Sequence, residues 1–208
     1  MSGPPRPVPA RAVRTTTVVE RSRFVCTLRP VADEAAAEAV VAAVRRELAD
    51  ARHHCTAVVL GDDGSLRRSG DDGEPAGTAG APMLAALEGA GVTGAVAVVS
   101  RWFGGTLLGT GGLVRAYGGA VTGALEEAGL APRRWVDLVA VHAGPADAGR
   151  VEAELRRRHD VEDVTWSGDG WRAVLLLPPG TDAAAELAAA GLPATATPLG
   201  RAVRPVRG

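Results

Sequence analysis

Between Asp71 and Gly119 the chain reads DDGEPAGTAGAPMLAALEGAGVTGAVAVVSRWFGGTLLGTGGLVRAYGG, and the residues able to do chemistry are concentrated here. Three carboxylates, Asp71, Asp72 and Glu74, stand beside the segment Gly77-Thr78-Ala79-Gly80. Two arginines, Arg101 and Arg115, flank a second glycine cluster: Gly104, Gly105, Gly109, Gly111 and Gly112. Trp102, Phe103 and Tyr117 are three of only seven aromatic residues, so aromatic surface is being spent on this block. Glycine loses the most backbone entropy on folding, and dense glycine at turns therefore implies special dihedrals or close backbone approach. A mere connector would not need acidic, cationic and aromatic side chains set among those glycines.

The turn Gly109-Thr110-Gly111-Gly112 lies ahead of a helical pattern and could offer backbone N–H groups, assisted by the helix dipole, to an anion. Gly77 to Gly80 forms a second such nest. Neither is a P-loop, which needs GxxxxGK[ST], and tight-turn packing is the competing reading. Arg115 falls in the first turns of that helix, where the dipole opposes a cation. It calls for an anionic partner (Asp71, Asp72, Glu74, or a bound phosphate or carboxylate) or else is simply solvated. Arg101 directly follows an apolar run, at a strand end where sheet folds place functional groups. Together the two arginines could clamp a charged ligand bidentately. Both adjoin glycine loops with few packing neighbours, so their substitution is expected to affect function more than stability.

The three carboxylates could hold a hard cation or act as general acid and base. Their spacing lacks the DxDxDG pattern, and loop capping or salt bridging is the alternative, so no metal site is assigned. His53, His54 and Cys55 would add soft ligands. Neighbours along a strand point to opposite faces, which makes hydrogen-bonding histidines the better reading and leaves His53 as an additional candidate. Trp102 and Phe103 suit base stacking or a protein hot spot if exposed, and a core role if buried.

The elements that must position these residues are legible in outline. Residues 1–10 are Pro-rich and expected to lack structure. Thr15 to Glu20, Phe24 to Leu28 and Cys55 to Leu60 read as strands. Asp33 is the expected N-cap of a helix through about Asp50, with Ala37, Val40, Val41, Val44 and Leu48 at helical spacing. Gly61 to Gly80 reads as one long loop, followed by a short helix, Pro82 to Leu87. Ala95 to Val99 shows no alternation and reads as a strand covered on both faces. The helix from about Gly111 to Ala128 places Leu113, Ala116, Tyr117, Ala120, Val121, Ala124 and Leu125 on one face. Its Gly118, Gly119 and Gly123 are expected to permit close packing on another element. Beyond Ala131-Pro132 the pattern is strand (134–142), helix (146–159), strand (161–166), strand (171–177), helix (182–190) and strand (194–199). That βαββαβ order is ferredoxin-like, with a Ser-Gly-Asp-Gly hairpin in its middle. The fold class is α+β.

At 208 residues, 46% hydrophobic and 23% charged, the chain suits one large or two small soluble domains. Twenty-three basic residues, all arginine, against 24 acidic give a net charge of −1, which provides no global attraction to nucleic acid or anionic membrane. Arg6, Arg11, Arg14, Arg21, Arg23 and Arg29 face only Glu20 in the first 30 residues, and Arg201, Arg204 and Arg207 lie near the end. Such basic ends are solvated arms or local polyanion contacts. Two cysteines 29 positions apart, without CxxC, exclude a disulfide scaffold or zinc knuckle. With no signal-peptide stretch and no apolar run of membrane-spanning length, a cytoplasmic location without membrane contact is expected.

Several ordered segments resemble one family. They are Ser69-Gly70-Asp71-Asp72-Gly73-Glu74-Pro75, Gly77-Thr78-Ala79-Gly80, Arg101-Trp102-Phe103-Gly104-Gly105 and Leu108 through Tyr117, with Ser22-Arg23-Phe24 and Ala51-Arg52-His53-His54-Cys55 upstream. Over roughly Glu20 to Glu127 the chain resembles the IMPACT family in its bacterial YigZ-type branch. It departs from that pattern at His54 and Thr56, where the family tends to have Asn and an aromatic residue. The resemblance implies a first domain (11–130) of the ribosomal-protein type also found in elongation factor G and GHMP kinases, and a ferredoxin-like second domain (134–202). It implies a binding or regulatory protein linked to translation through RNA, the ribosome or a ribosome-associated factor. The family's eukaryotic branch acts in translational control under starvation stress. The rival expectation is an enzyme acting on a small anionic or phosphorylated compound. No cofactor motif or nucleophile–base constellation accompanies it, which weighs against catalysis.

Overall fold

A computed structural model of the chain describes residues 4–206. The chain divides into two compact units, one reaching Arg133 and one spanning Arg134–Pro205. The first contains β1 (Val8–Pro9), β2 (Val13–Val19), β3 (Ser22–Pro30), α1 (Glu34–Glu47), β4 (His53–Leu60), β5 (Leu66–Gly70), α2 (Gly80–Gly89), β6 (Ala95–Trp102), α3 (Gly109–Ala128) and β7 (Leu130–Ala131). The second contains β8 (Arg133–Ala143), α4 (Ala148–Arg158), β9 (Asp160–Ser167), β10 (Gly170–Leu177), α5 (Ala183–Ala189) and β11 (Ala194–Pro205). The protein is thus mixed α/β.

β6 organises the first unit. It is the middle strand of a five-stranded sheet ordered β2-β3-β6-β4-β5, each pair antiparallel. Its apolar run carries no alternation because both faces are covered. Val96 and Val98 pack with Ala37 and Val44 of α1. Ala95, Ala97 and Val99 join Met83 and Leu87 of α2 and Leu113, Tyr117, Val121 and Leu125 of α3 on the other face. Asp33 caps α1, its Oδ1 accepting from the Ala36 N–H at 2.8 Å, and Arg45 and Arg46 lie in its last turn. No helix among the described residues is long and apolar enough to cross a membrane.

Four differences from the sequence reading have physical causes. Gly61 to Gly80 is not one loop: β5 lies within it. An edge strand with exposed Arg67, Arg68 and Ser69 has no buried face, and so no alternation to detect. Val8 and Pro9, in the segment expected to lack structure, pair with Ala131 and Leu130; residues 1–3 of that segment and Arg207 lie outside the described residues. Of Gly118, Gly119 and Gly123 in α3, only Gly118 faces a neighbour, the Pro82 carbonyl of α2, whereas Gly119 and Gly123 are open. Finally, β2 and β3 are joined by Glu20 and Arg21, both left-handed with φ of 44° and 65°. That conformation costs a non-glycine residue about 1 kcal/mol or more.

In the second unit, four strands are ordered β11-β8-β10-β9. α4 and α5 bury Val151, Leu155 and Leu187 with Val139, Val141, Trp171, Ala173, Leu175 and Leu177 of the sheet. Gly168 and Asp169 make the turn between Ser167 and Gly170, and Trp166 pairs across the strands with Trp171.

Two glycines in helices should respond oppositely to alanine. A Cβ on Gly80 would lie 2.8 Å from the Gly70 backbone nitrogen, whereas one on Gly119 meets nothing. Gly80→Ala is expected to destabilise by about 1–3 kcal/mol through overpacking. Gly119→Ala is expected to stabilise by up to about 1 kcal/mol. Urea unfolding midpoints of the two variants check both signs.

Candidate functional site

Alternation along β6 decides which residues enter the site. Arg101 is in phase with Ala97 and Val99 and turns toward α2 and α3, while Trp102 turns to the other face. There the Trp102 Nε1–H donates to Asp50 at 2.9 Å, and the Arg23 guanidinium stacks 3.7 Å from the ring centre. Trp102 therefore does not share Arg101's surroundings. Register does the same for the histidines. His53 pairs with Arg101 and shares its face, and His54 pairs with Ser100 on the opposite one.

Arg101 is only 6% exposed. Its Nη1 donates to Glu74 Oε1 at 2.6 Å, and the Tyr117 hydroxyl donates to the same oxygen at 2.7 Å. Arg101 Nη2 reaches Ser22 Oγ at 3.4 Å, and Ser22 Oγ also accepts from the Gly104 N–H at 3.2 Å. Phe24 stands edge-on to Tyr117 at 5.2 Å. The rings of Phe24 and Phe103 lie 5.4 and 5.9 Å from the guanidinium carbon. Burial pushes the Tyr117 phenol well above its usual range, so Tyr117 stays a donor. Burial also pushes the neighbouring Cys55 thiol up to about 12, and its Sγ–H donates to the Asp71 carbonyl at 3.0 Å. The thiol stays protonated at neutral pH.

The two aspartates serve the loop. Asp71 accepts from the N–H groups of Gly77, Ala79 and Gly80 at 2.8, 3.0 and 2.8 Å, plugging the start of α2 with the chain's own carboxylate. Burial works against ionising Asp71, but the N–H groups of Gly77, Gly80 and Ala79 outweigh it and hold the carboxyl below its usual range. Asp72 accepts from Arg45 at 2.6 Å and from the His54 N–H at 2.6 Å. For Asp72 too, burial is outweighed by the His54 N–H and then Arg45. Burial, followed by Arg45, lowers the His54 imidazole below its ordinary value, and its Nδ1 lies 2.9 Å from Ser100 Oγ. The Gly77–Gly80 nest is thus already filled, and the Thr78 hydroxyl is turned inward onto the Pro75 carbonyl at 2.7 Å.

What stays open is a cleft of about 460 Å³ above the Arg101–Glu74 pair. Glu74 and Arg101 line it with Arg52, His53, Phe103 and Leu108, and Gly109 and Thr110 bring the start of α3 to its wall. His53 Nδ1 contacts the Asp72 carbonyl at 2.7 Å, which requires a proton on Nδ1, and its Nε2 lies 3.9 Å from Glu74 Oε1. At the rim Phe103 is 44% exposed and Leu107 86% exposed.

The structure therefore gathers Glu74, Arg101, Phe103, Gly109, Tyr117 and His53 into or beneath one cleft. It leaves Asp71, Asp72, Gly77, Thr78 and Gly80 as scaffolding for the Glu74 loop. Arg115 does not meet the carboxylates, because Asp71, Asp72 and Glu74 are all engaged elsewhere; it is exposed near the start of α3. The three carboxylates diverge, and no group of three His, Cys, Asp or Glu among the described residues could hold a metal ion. Gly104 is a position of close approach: a Cβ there would lie 2.0 Å from the Arg21 carbonyl carbon. Gly105 supplies a left-handed turn (φ 89°). Gly112 packs against Leu108, whose Cβ would be 2.9 Å away from one on the glycine, while Gly111 has only the tip of Arg115 near it at 3.5 Å. Ser22, Phe24, Arg52 and Leu107 join the site without having been singled out for it. The Ser22-Arg23-Phe24 segment was the available signal for the first two.

The Impact N-terminal domain matches residues 20–125. IMPACT family member YigZ of Escherichia coli (strain K12) is 52% identical over 122 residues, covering 58% of this chain and 60% of that protein. YvyE of Bacillus subtilis (strain 168) is 40% identical over 139 residues, covering 67% and 64%. The match thus spans less than two thirds of either relative. A Thermus thermophilus IMPACT family member in the pol 5′ region is 43% identical over 164 residues, covering 78% of this chain and 88% of that one. A solved crystal structure described as that of a hypothetical protein is 35% identical, with a TM-score of 0.68, over 94% of this chain and 97% of its own. The chain belongs to the IMPACT family. Within that family its relatives place it with the YigZ-type branch.

Burial reverses the expectation that Arg101 matters little to stability. Arg101→Ala would strand Glu74 and is expected to cost about 3–5 kcal/mol. Arg115→Ala should stay within about 0.5 kcal/mol. Chemical denaturation of both variants tests the contrast, and equal stabilities would refute the assignment.

A pH profile tests Asp71. Its folded pKa lies below the unfolded value of 3.8, so its contribution is complete above that value and is lost as pH falls through the folded pKa. Asp71→Asn is expected to cost about 1–3 kcal/mol at pH 7. The gap from the parent should narrow below about pH 4, as read from unfolding free energies between pH 3 and 7.

Proposed function

We propose that this chain is a cytoplasmic binding or regulatory protein linked to translation, which docks RNA, the ribosome or a ribosome-associated factor at the cleft above Arg101 and Glu74. One observation carries the reading: Phe103 and Leu107 expose apolar surface at the rim of a cleft with charged residues at its base. Exposed apolar side chains beside charged groups mark a surface that a partner can bury, and an aromatic residue next to arginine is a common composition of interface anchors. The two units support the same reading by type. The sheet order β11-β8-β10-β9 with its βαββαβ succession suits a ferredoxin-like domain. We take the first unit to be of the ribosomal-protein type shared with elongation factor G and GHMP kinases, an analogy of fold alone.

The second reading, an enzyme acting on a small anionic or phosphorylated compound, is favoured by His53, a titratable residue lining the cleft with its Nε2 3.9 Å from Glu74 Oε1. Against it, Arg101, Glu74 and Tyr117 bind one another, which leaves no free acid–base pair among them.

Co-sedimentation of the intact protein with ribosomes across a salt series separates the two. Binding is expected at low salt, and Leu107→Asp should weaken it at least about tenfold, the loss of one hot-spot side chain. Each phosphate contact adds roughly 0.7–0.9 to the salt slope, so a flat salt response would identify a protein partner. Failure to bind ribosomes, RNA or translation factors at low salt would overturn the docking reading in favour of the enzyme.

A further inference from the structure

β2 is one edge of the first unit's sheet, and its free side follows from the turn after it. Glu20 and Arg21 form a two-residue hairpin turn with both φ positive. The flanking pair, Val19 and Ser22, therefore exchanges both of its N–H···O bonds. Bonded and non-bonded pairs alternate along an antiparallel ladder. Thr17 with Phe24, Thr15 with Cys26 and Val13 with Leu28 are then bonded as well, which turns the N–H and C=O groups of Arg14, Thr16 and Val18 away from β3. Among the described residues no backbone group from another segment reaches these three. The edge also lacks the usual guards, which are charge, proline or a bulge. Its register is unbroken from Val13 to Val19, and the strand VRTTTVV holds no proline. Its one charge, Arg14, is folded back over the sheet, with Nε on Thr27 Oγ1 at 3.0 Å and Nη2 on Glu47 Oε2 at 2.7 Å. The opposite edge, β5, presents exposed Arg67 and Arg68 instead.

The residues of this edge complement their own reverse order. A twofold axis at Thr16 of two antiparallel copies sets Thr16 opposite its twin, Arg14 opposite Val18, Thr15 opposite Thr17 and Val13 opposite Val19. The three outward-facing residues lie symmetrically about that axis. Thr16 can exchange two N–H···O bonds with its twin and each Arg14 two with the facing Val18, about six in all. The side chains agree with the backbone. On one face Val13 and Val19, at the margin of the core, meet across the pair. On the other, Val18 is 65% exposed and gains the aliphatic stem of the facing Arg14. Cross-strand pairs of β-branched residues are favourable in sheets. We propose that β2 is a self-association edge, where two copies of this chain join their first units' sheets into one. The occupant is a second copy because bonding groups and side chains match under a twofold axis, which an unrelated peptide would not reproduce. One strand pair buries less than the roughly 1,200–2,000 Å² of stable interfaces, so the dimer forms at about 10–100 µM protein. This inference does not depend on what the cleft binds.

The test is sedimentation equilibrium of the full chain from about 5 to 500 µM, a range that brackets the expected association. Thr16→Pro removes an N–H that points to solvent in the monomer, where edge strands accept proline, and deletes both bonds at the axis. It is expected to keep the parent's fold by circular dichroism and to self-associate at least about tenfold more weakly. Val18→Lys sets a cation against the facing Arg14 at both ends of the pair and should weaken association by a similar factor. It carries the test if Thr16→Pro fails to fold. Amide hydrogen exchange locates the contact. The amides of Arg14, Thr16 and Val18 should exchange more slowly as protein concentration rises, while those of Thr15 and Thr17, bonded within the hairpin, are protected at every concentration. A parent that stays monomeric at the highest concentration overturns the proposal. So does a dimer that Val18→Lys leaves undiminished, or one whose formation does not slow exchange at the three outward amides. Either of those results would put the interface elsewhere on the chain.

Discussion

Arg101 and Glu74 leave water together, and the surrounding structure is arranged to make that tolerable. Removing two charges from solvent costs several kcal/mol per ion unless their partners are well placed. Here the single oxygen Oε1 receives both the guanidinium and the Tyr117 hydroxyl. Ser22 steadies the far nitrogen, and Phe24 closes one side. Ser22 and Phe24 come from β3 and Tyr117 from α3, so the pair ties β3, β6, α3 and the Glu74 loop together. The cleft has its shape because the pair has to be satisfied from several directions.

The loop that delivers Glu74 is itself held from within. Asp71 grips the start of α2, Asp72 grips Arg45 and the backbone of β4, and Thr78 turns back on Pro75. Three successive polar commitments remove the freedom that a glycine-rich segment would otherwise have. Gly80 lies against Gly70 too closely for any side chain. The acidic cluster that looks reactive in sequence is therefore largely structural, and the chemistry left facing solvent belongs to its neighbours.

Burial was the easiest property to read from sequence. The unalternating run in β6 and the apolar face of α3 declare themselves because the same periodicity that forms the element also buries it. The partnership of Glu74 with Arg101 and Tyr117 is not written in any local pattern. It depends on register, which places Arg101 rather than Trp102 on the α3 side, and on side chains 27 and 43 positions from Glu74. β5 escaped notice because an exposed edge strand has no apolar signature. The glycine-rich turn at α3 and that at α2 look alike as sequence. Only the position of Asp71 in space distinguishes a filled helix start from an open one.

The hydrogen bonds of Ser22 bear on the order in which the molecule is built. Ser22 bonds to Gly104 and Arg101, which follow it by 82 and 79 residues. Such contacts close long loops, and the entropy of closure must be met before they return any stabilisation. The β2–β3 hairpin and α1 rest on local contacts and can form early. The cleft cannot, since it needs β6 inserted between β3 and β4 and Tyr117 delivered by α3. During synthesis, a chain that has emerged only as far as β5 would expose the underside of Phe24 and the Glu74-side edge of β4 without the strand that covers them. The cleft then has to close as one cooperative step once Tyr117 is available, and it is completed last.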